Sequence, residues 1–184
     1  MAIHKIKTAK GREKGNPEIN MNILNFKPLT GHPPGAIFNL LEQCYAGAEK
    51  MLPEYYQKWI NDWKAYDDEI FQYPDTVGAC GFITYIDNVM IGFASWDPRQ
   101  YPRGRVGHNG ILPEFRGNGY GKLQISEVLK RLADNNFQKV SAKTMDHPFF
   151  TGAQKIYLAC GFEEIKRYAV AGKNYGIIEF QKRP

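Results

Sequence analysis

The chain has 184 residues, of which 43% are apolar and 23% are charged. This length fits one domain with a sizeable core, and the balance argues against a disordered chain. Three scattered cysteines and four separated histidines argue against a disulfide framework and a metal site. No apolar run is long enough for a membrane span or a signal peptide, so we expect a cytoplasmic protein with no membrane partner.

The net charge is +5, and its only clear concentration is near the N-terminus, where Lys5–Lys14 holds five basic residues. This segment has no aromatic residue that could stack on a base, so it does not favour nucleic-acid binding. Residues 1–19 are polar and contain two glycines and a proline. We therefore predict a basic N-terminal arm over residues 1–19 and a single domain over residues 20–184.

Hydrophobic periodicity predicts alternating helices and strands along the domain. A strand at Met21–Phe26 comes first, followed by helices at Pro34–Met51 and from Pro53 to about Phe71. The later predicted elements are strands at Val77–Ile86, Val89–Trp96 and Gly104–Pro113, a helix, a strand at Lys139–Met145, a helix at Phe149–Cys160, and strands at Phe162–Val170 and Tyr175–Gln181. Asp87-Asn88 and Gly172 indicate hairpin turns. This order is that of an α/β protein.

The most informative stretch is Ile111–Lys122, where a strand ends, a proline turn follows, and three alternating glycines open a helix. A helix start has unpaired N–H groups and partial positive charge, and glycines let a diphosphate approach the main chain. The stretch is not a Walker A loop, because Leu123 stands where Ser or Thr is needed. It also lacks the Gly-x-Gly-x-x-Gly spacing of dinucleotide loops. We therefore predict a pyrophosphate cradle.

Arg116-Gly117-Asn118-Gly119-Tyr120-Gly121 is similar to the Arg/Gln-x-x-Gly-x-Gly/Ala signature of the GNAT N-acetyltransferases. Ile111-Leu112-Pro113 resembles the Val-x-Pro run before it, and Ala153, Tyr157, Gly161 and Phe162 resemble the second motif of the family. The resemblance implies an α/β (α+β) GNAT fold, with a mixed, mostly antiparallel sheet of about six to seven strands and helices on both faces. It also implies that the cofactor lies where the glycine-loop strand and the next strand splay apart. Gly107 and Gly110 indicate a bulge or a close backbone approach within the glycine-loop strand, and a bulge at Gly110 would start that splay.

The resemblance further implies acetyl-CoA as the co-substrate and no metal. The residues expected to hold acetyl-CoA are Ile111, Leu112, Pro113, Arg116, Gly117, Asn118, Gly119, Tyr120, Gly121, Lys122 and Ala153. Arg116 is expected to reach a phosphate or to brace the loop through a carbonyl, and Asn118 and Tyr120 to act through their backbone. Phe150 departs from the family pattern, which often has an Asn there that contacts the pantetheine arm.

Acetyl transfer to an amine requires a neutral amine, a polarised thioester carbonyl and a proton for the departing thiolate. Tyr157 stands where many family members keep a general acid, so we expect it to supply that proton. For the base, the residues leave three alternatives open: Asp97 at a strand end, His108 on the glycine-loop strand, or a water relay. His147 is a weaker candidate.

The sequence says least about the acceptor. The first two helices carry many aromatic residues, and Asp62, Asp67, Asp68 and Glu69 cluster nearby, a combination that suits a cationic amine. The leading hypothesis is an N-acetyltransferase that acts on a primary amine of a small molecule or peptide by direct attack in a ternary complex. The alternatives are a non-catalytic acyl-CoA-binding module and, less favoured, a nucleic-acid-binding domain. A homodimer is compatible with the family pattern.

Overall fold

The computed structural model describes residues 24–173 and 175–183. The predicted arm at residues 1–19 and the predicted strand start at Met21 lie outside the described residues. The strands are β1 (Leu24–Pro28), β2 (Gly81–Ile86), β3 (Val89–Gln100), β4 (Arg103–Ile111), β5 (Lys139–Asp146), β6 (Glu163–Ala169) and β7 (Gly176–Lys182). The helices are α1 (Ala36–Cys44), α2 (Ala48–Met51), α3 (Pro53–Gln72), α4 (Tyr120–Asp134) and α5 (Thr151–Ala159).

The seven strands form one sheet in the order β1-β2-β3-β4-β5-β7-β6. Every neighbouring pair is antiparallel except β4 and β5, which run parallel. The β2–β3 hairpin turns at Asp87 and Asn88, whose positive φ angles of 45° and 67° suit a two-residue turn. The predicted mixed, mostly antiparallel sheet of an α+β GNAT fold is therefore confirmed.

The two faces of the sheet are covered by different helices. Phe82 and Ala94 pack in a core with residues of α4 and α5. Their chain neighbours Ile83 and Phe93 pack in a second core with residues of α1 and α3. Alternate residues of a strand point to opposite faces, so these two cores lie on opposite sides of the sheet. The prediction of helices on both faces is confirmed. None of the helices in the described ranges is long and apolar enough to cross a bilayer.

The first predicted helix, Pro34–Met51, is wrong in its extent. α1 ends at Cys44, and α2 begins only at Ala48. Gly47 lies between them with a φ of +91°, and this left-handed conformation interrupts a right-handed helix. The second predicted helix does begin at Pro53, where the missing N–H of proline costs nothing.

The parallel pair β4–β5 opens after only three paired positions. Arg103, Gly104 and Arg105 pair with Lys139, Val140 and Ser141, and no later pair joins the two strands. Of the two glycines that indicated a bulge or a close approach, Gly110 is not in a bulge, because it pairs regularly with Phe93. The irregularity lies between Val106 and Asn109, where Gly107 and His108 face the single residue Ser95. Gly110 is needed for another reason, since an added Cβ would lie 2.7 Å from the Cβ of Cys44.

A buried carboxylate fixes the start of α1. Asp67 on α3 is 3% exposed and accepts hydrogen bonds from the N–H groups of Gly35 (2.6 Å), Ile37 (3.0 Å) and Phe38 (3.1 Å). The helix has no cap from its own residues. Asp67 therefore caps α1 from a neighbouring helix, which makes it a structural residue rather than a ligand for a cationic amine.

Replacing Asp67 with alanine should lower the free energy of unfolding by about 2 kcal/mol, because three N–H groups, one of them buried, lose their acceptor. Urea denaturation followed by circular dichroism measures this change. Asp68→Ala is the matched control, since that side chain is the next in sequence but exposed. The control should change stability by less than about 0.5 kcal/mol. Equal losses in the two variants would contradict the capping role.

Candidate active site

The predicted cradle lies between the end of β4 and the start of α4. Gly117 and Gly119 have φ values of +82° and +81°, a conformation that L side chains rarely adopt, and the space beside each is open. α4 begins at Tyr120 with no side chain capping its first N–H groups. This loop therefore combines free donors, a positive helix end and room for an anion.

Side chains of the loop organise its backbone. The Nε of Arg116 donates to the carbonyl of Ile111 at 3.0 Å, and a second guanidinium nitrogen donates to the carbonyl of Cys44 on α1. Of the two predicted roles for Arg116, these contacts are those of a brace. The amide nitrogen of Asn118 donates to the carbonyls of Phe115 and Arg116, both at 3.2 Å. Asn118 thus contributes through its side chain, whereas the sequence suggested its backbone alone.

The remaining predicted loop residues fall into three environments. Ile111 and Leu112 are buried under the loop. Gly121 lies against α5, where an added Cβ would be 2.5 Å from the Cδ1 of Ile156. Pro113 and Lys122 are exposed, and Tyr120 is half-buried. The loop residues thus lie together at one end of β4, as predicted.

Five consecutive carbonyl groups at the splayed end of β4 accept hydrogen bonds from side chains. The donors are Asn109 to Gly107 (3.2 Å), Ser95 to His108 (3.1 Å), Tyr45 to Asn109 (3.4 Å), Gln124 to Gly110 (3.4 Å) and Arg116 to Ile111 (3.0 Å). Gln124 is 1% exposed and also accepts from the hydroxyl of Thr84 at 2.6 Å. Sequence reasoning missed Gln124, although its position four residues before buried Val128 places a polar group on the apolar face of α4.

A cavity of about 390 Å³ occupies the opening between β4 and β5. Tyr157 lines this cavity, is 3% exposed, and accepts a hydrogen bond from the amide nitrogen of Asn109 at 3.2 Å. Burial raises the pKa of Tyr157, whereas the bond from Asn109 lowers it by stabilising the phenolate. Ala153, predicted as a cofactor residue, lines the same cavity. Asn109 was not predicted, because nothing in the sequence links it to a tyrosine 48 residues away.

The rest of this smaller cavity is largely aromatic. Phe150 lines it and lies 6.3 Å from Tyr45 and 5.9 Å from Trp59, measured between ring centroids. The position at which many family members have an Asn is therefore part of an aromatic wall that α1 and α3 complete. A ligand in this cavity meets apolar surface on that side and polar groups near Tyr157.

His108 lies where the smaller cavity meets a larger one, and it lines both. Its ring lies 5.1 Å from that of Tyr66. Burial lowers the pKa of His108, while the charge of Asp62 raises it and that of Arg105 lowers it. His147, the weaker candidate, accepts the N–H of Phe149 at 3.2 Å and so caps the turn that precedes α5.

Asp97 is fully engaged by two arginines. Its carboxylate accepts the backbone N–H (3.0 Å), Nε (2.9 Å) and Nη2 (2.7 Å) of Arg99, and the Nη2 of Arg105 at 2.9 Å. These bonds, led by those from Arg99, hold the pKa of Asp97 well below its usual range. A carboxylate in this state is a weak base with its acceptor sites filled.

The larger cavity has a volume of about 680 Å³ and lies over the sheet on the α3 side. Of the four acidic residues that the sequence grouped near the acceptor, only Glu69 lines it. Asp67 caps α1, and Asp62 pairs with Lys58 on the exposed side of α3. Within the described ranges, no three His, Cys, Asp or Glu side chains lie close enough together to hold a metal ion.

Residues 36–162 match the sequence profile described as the Acetyltransferase (GNAT) family. The chain belongs to the GNAT acetyltransferase family. This match covers more than half of the chain and confirms the enzyme family that the glycine loop and the second motif predicted.

Solved GNAT structures have the same fold at low sequence identity. A GNAT-family protein from Desulfovibrio desulfuricans is 14% identical, with a TM-score of 0.67 over 88% of this chain and 98% of that one. The yncA protein of Salmonella typhimurium, solved with its cofactor acetyl-CoA, is 12% identical, with a TM-score of 0.63 over 88% and 93%. The ribosomal-protein-S18-alanine N-acetyltransferase of Escherichia coli is 14% identical, with a TM-score of 0.60 over 89% and 94%. No curated protein matches the chain.

Proposed function

We propose that this GNAT enzyme transfers an acetyl group from acetyl-CoA to a primary amine of a small molecule or peptide, by direct attack in a ternary complex. The observation that carries the proposal is the position of Tyr157 and Asn109. Their hydrogen-bonded pair lies in the opening between β4 and β5, and the glycine loop lies at the end of the same β4 strand. One strand thus leads from a diphosphate cradle to a proton donor.

The cradle would hold the pyrophosphate of acetyl-CoA through main-chain N–H groups from Gly117 to Gly121, because the N–H of Lys122 already donates to the carbonyl of Gly119 at 3.0 Å. The side chains of Arg116 and Asn118 donate hydrogen bonds to backbone carbonyls, so they would shape this loop rather than bind phosphate. The pantetheine arm would then run between β4 and β5 past Ile111 and Ala153. The aromatic wall at Phe150 would replace a polar contact to the arm with apolar packing.

The reaction forms an N–C bond and breaks the C–S bond of the thioester. Because β4 has no paired residue on β5 beyond Arg105, main-chain N–H groups on that edge of β4 would serve as donors for the carbonyl oxygen of the tetrahedral intermediate. Tyr157 would give its proton to the departing sulfur. Because Asn109 donates to the phenol oxygen, the phenol hydrogen must point elsewhere, and the cavity is the open direction.

The proton of the amine would go to His108, directly or through one water. His108 lines both cavities, and its lowered pKa keeps the imidazole neutral at physiological pH. Asp97 was an equal alternative on sequence grounds, but its carboxylate is filled by two arginines and its pKa is depressed. We therefore assign the base to His108 and not to Asp97.

Replacing Gly119 with alanine should weaken CoA binding about tenfold, because a Cβ is strained at positive φ and the loop must change shape. Isothermal titration calorimetry with CoA measures the dissociation constant. Gly152→Ala is the control, since that glycine also has open space around its Cβ position but no positive φ. Equal affinity of Gly119→Ala and wild type would contradict the cradle. Absence of CoA binding by folded wild type at millimolar concentration would overturn the proposed function.

Replacing Tyr157 with phenylalanine should reduce kcat about 10²-fold, because the thiolate then leaves without its proton donor. Asn109→Leu should reduce kcat about tenfold, because the hydroxyl of Tyr157 loses the hydrogen bond that orients it. The double variant should be no slower than Tyr157→Phe alone, which a double-mutant cycle of thiol release measures. If the losses of kcat in the two single variants add up in the double variant, Asn109 does not act through the hydroxyl of Tyr157. A non-catalytic acyl-CoA-binding module would instead bind CoA and release no thiol with any amine.

The pH dependence of kcat should show an acidic limb below about pH 6.5, the usual pKa of histidine. A base must be neutral to accept a proton, and the pKa of His108 is lowered, so activity is lost only as pH falls through that lowered value. His108→Gln should remove the limb and lower kcat. Asp97→Asn should leave the limb in place, and a limb that moves in Asp97→Asn instead would return the role to Asp97.

A further inference from the structure

The larger cavity is a prominent feature of the described part of the chain that acetyl-CoA, as placed above, does not account for. It is bounded by α3, by the segment after α3 and by strands β3 to β5. It shares Gly107, His108 and Lys143 with the smaller cavity, so the two meet at the bulge of β4. Its volume of about 680 Å³ is in the range of sites for small organic ligands. The chemistry of its wall therefore bears on what the acceptor is.

Asp97 works on this wall as a support for arginine. Four N–H groups fill the acceptor sites of its carboxylate, so it cannot receive an ammonium group from a ligand. Its side chain is 19% exposed, whereas that of Arg105 is 50% exposed. The less accessible partner thus fixes a guanidinium at the surface of the cavity.

Arg105 has donors to spare. Only its Nη2 is engaged, by Asp97 at 2.9 Å, in the hydrogen bonds found among the described residues. Arg99 commits both its Nε and Nη2 to the same carboxylate. The charge of Arg105 also reaches His108, since it lowers the pKa of that histidine. A planar, preorganised guanidinium with free N–H groups is the protein group best suited to a carboxylate.

The other charged side chains of the cavity are those of Asp97, Arg99, Lys143, Glu69 and Asp75. Lys143 is paired with Glu179 at 2.7 Å. The pKa of Arg99 is raised, mainly by its hydrogen bonds to Asp97 and also by the charge of Glu69. Asp75 lies in the segment between α3 and β2. The wall therefore has an arginine with free donors toward His108 and acidic groups toward the end of α3.

We propose that the acceptor is an amine that also carries a carboxylate, and that Arg105 binds this carboxylate in the larger cavity. The inference rests on the proposed function and adds the class of acceptor to it. Arg105 and Asn109 are four residues apart on β4 with one residue taken up by the bulge, so about 10 Å separates the two ends of the site. A long-chain amino acid or a short peptide with a free C-terminus spans that distance.

Matched acceptors that differ only in the carboxylate test the inference. Lysine is compared with pentane-1,5-diamine, and an alanyl dipeptide with its C-terminal amide, at fixed acetyl-CoA with thiol release as the readout. In the wild type, kcat/KM should be at least about tenfold higher for the member of each pair that carries the carboxylate. In Arg105→Gln this ratio should fall to about one. Arg103→Gln, an exposed arginine on the same strand that lines neither cavity, should keep the wild-type ratio.

A second variant, at Asp97, tests whether this residue supports Arg105 rather than taking part in catalysis. Asp97→Asn should lower the ratio by raising KM for the acceptor that carries the carboxylate, because Arg105 is then held less firmly. A wild-type ratio of one or less, or a ratio that Arg105→Gln leaves unchanged, overturns the inference while turnover of any amine upholds the proposed function. Absence of thiol release with every amine overturns both.

Discussion

The site depends on how the backbone polar groups of β4 find hydrogen-bond partners where the strand is no longer paired with β5. Once β4 separates from β5, the backbone of β4 has no ladder partner on that side, and buried carbonyls without partners are costly. Ser95, Tyr45, Gln124, Arg116 and Asn109 donate to five consecutive carbonyls of this stretch, and alternate carbonyls among these point toward the opening. The opening can therefore persist in the absence of a ligand. A strand supported in this way keeps its remaining donors for the substrate.

The bulge at Gly107 and His108 lies at the boundary between the two cavities. On one side the wall is aromatic, with Phe150 and Tyr45 beside the proton donor. On the other side it is charged, with Arg105 held in place by Asp97. Under the proposed function, the smaller cavity would hold the thioester and the larger cavity the acceptor, and the two would meet at His108, which lines both cavities. Separate binding sites that converge on one point are what transfer between two bound molecules requires.

Local patterns were sufficient to predict most of the fold. The periodicity of α3 and α4, the Asp87-Asn88 turn and the glycine loop each depend on residues close in sequence, and all were found where expected. The break at Gly47 was missed because the apolar spacing continues across it. Gly107 and Gly110 both indicated a bulge or a close approach, and the structure has the bulge at Gly107 and the close approach, to Cys44, at Gly110. Patterns alone do not distinguish these two reasons for a glycine.

The site was predictable only where a motif carried it. Tyr157 and the loop residues follow from the resemblance, but Asn109 and Gln124 act through partners far away in sequence, and Arg105 through a residue of the neighbouring strand. Asp97 shows the limit most clearly. Its place at a strand end suggested a base. Only the positions of two arginines reveal that the acceptor sites of its carboxylate are already filled. Tertiary contacts decide which polar side chains are already engaged in hydrogen bonds and which can still bind a substrate.

The tight packing of Cys44 beneath β4 also governs its reactivity. Burial raises the pKa of this thiol to about 12, so at pH 7 only about one molecule in 10⁵ carries the reactive thiolate. Burial likewise raises the pKa values of Cys80 and Cys160. Cys44, whose carbonyl accepts a hydrogen bond from Arg116 of the glycine loop, is thereby protected from alkylation and oxidation. Colorimetric disulfide reagents can therefore follow the release of coenzyme A without modifying the enzyme at that position.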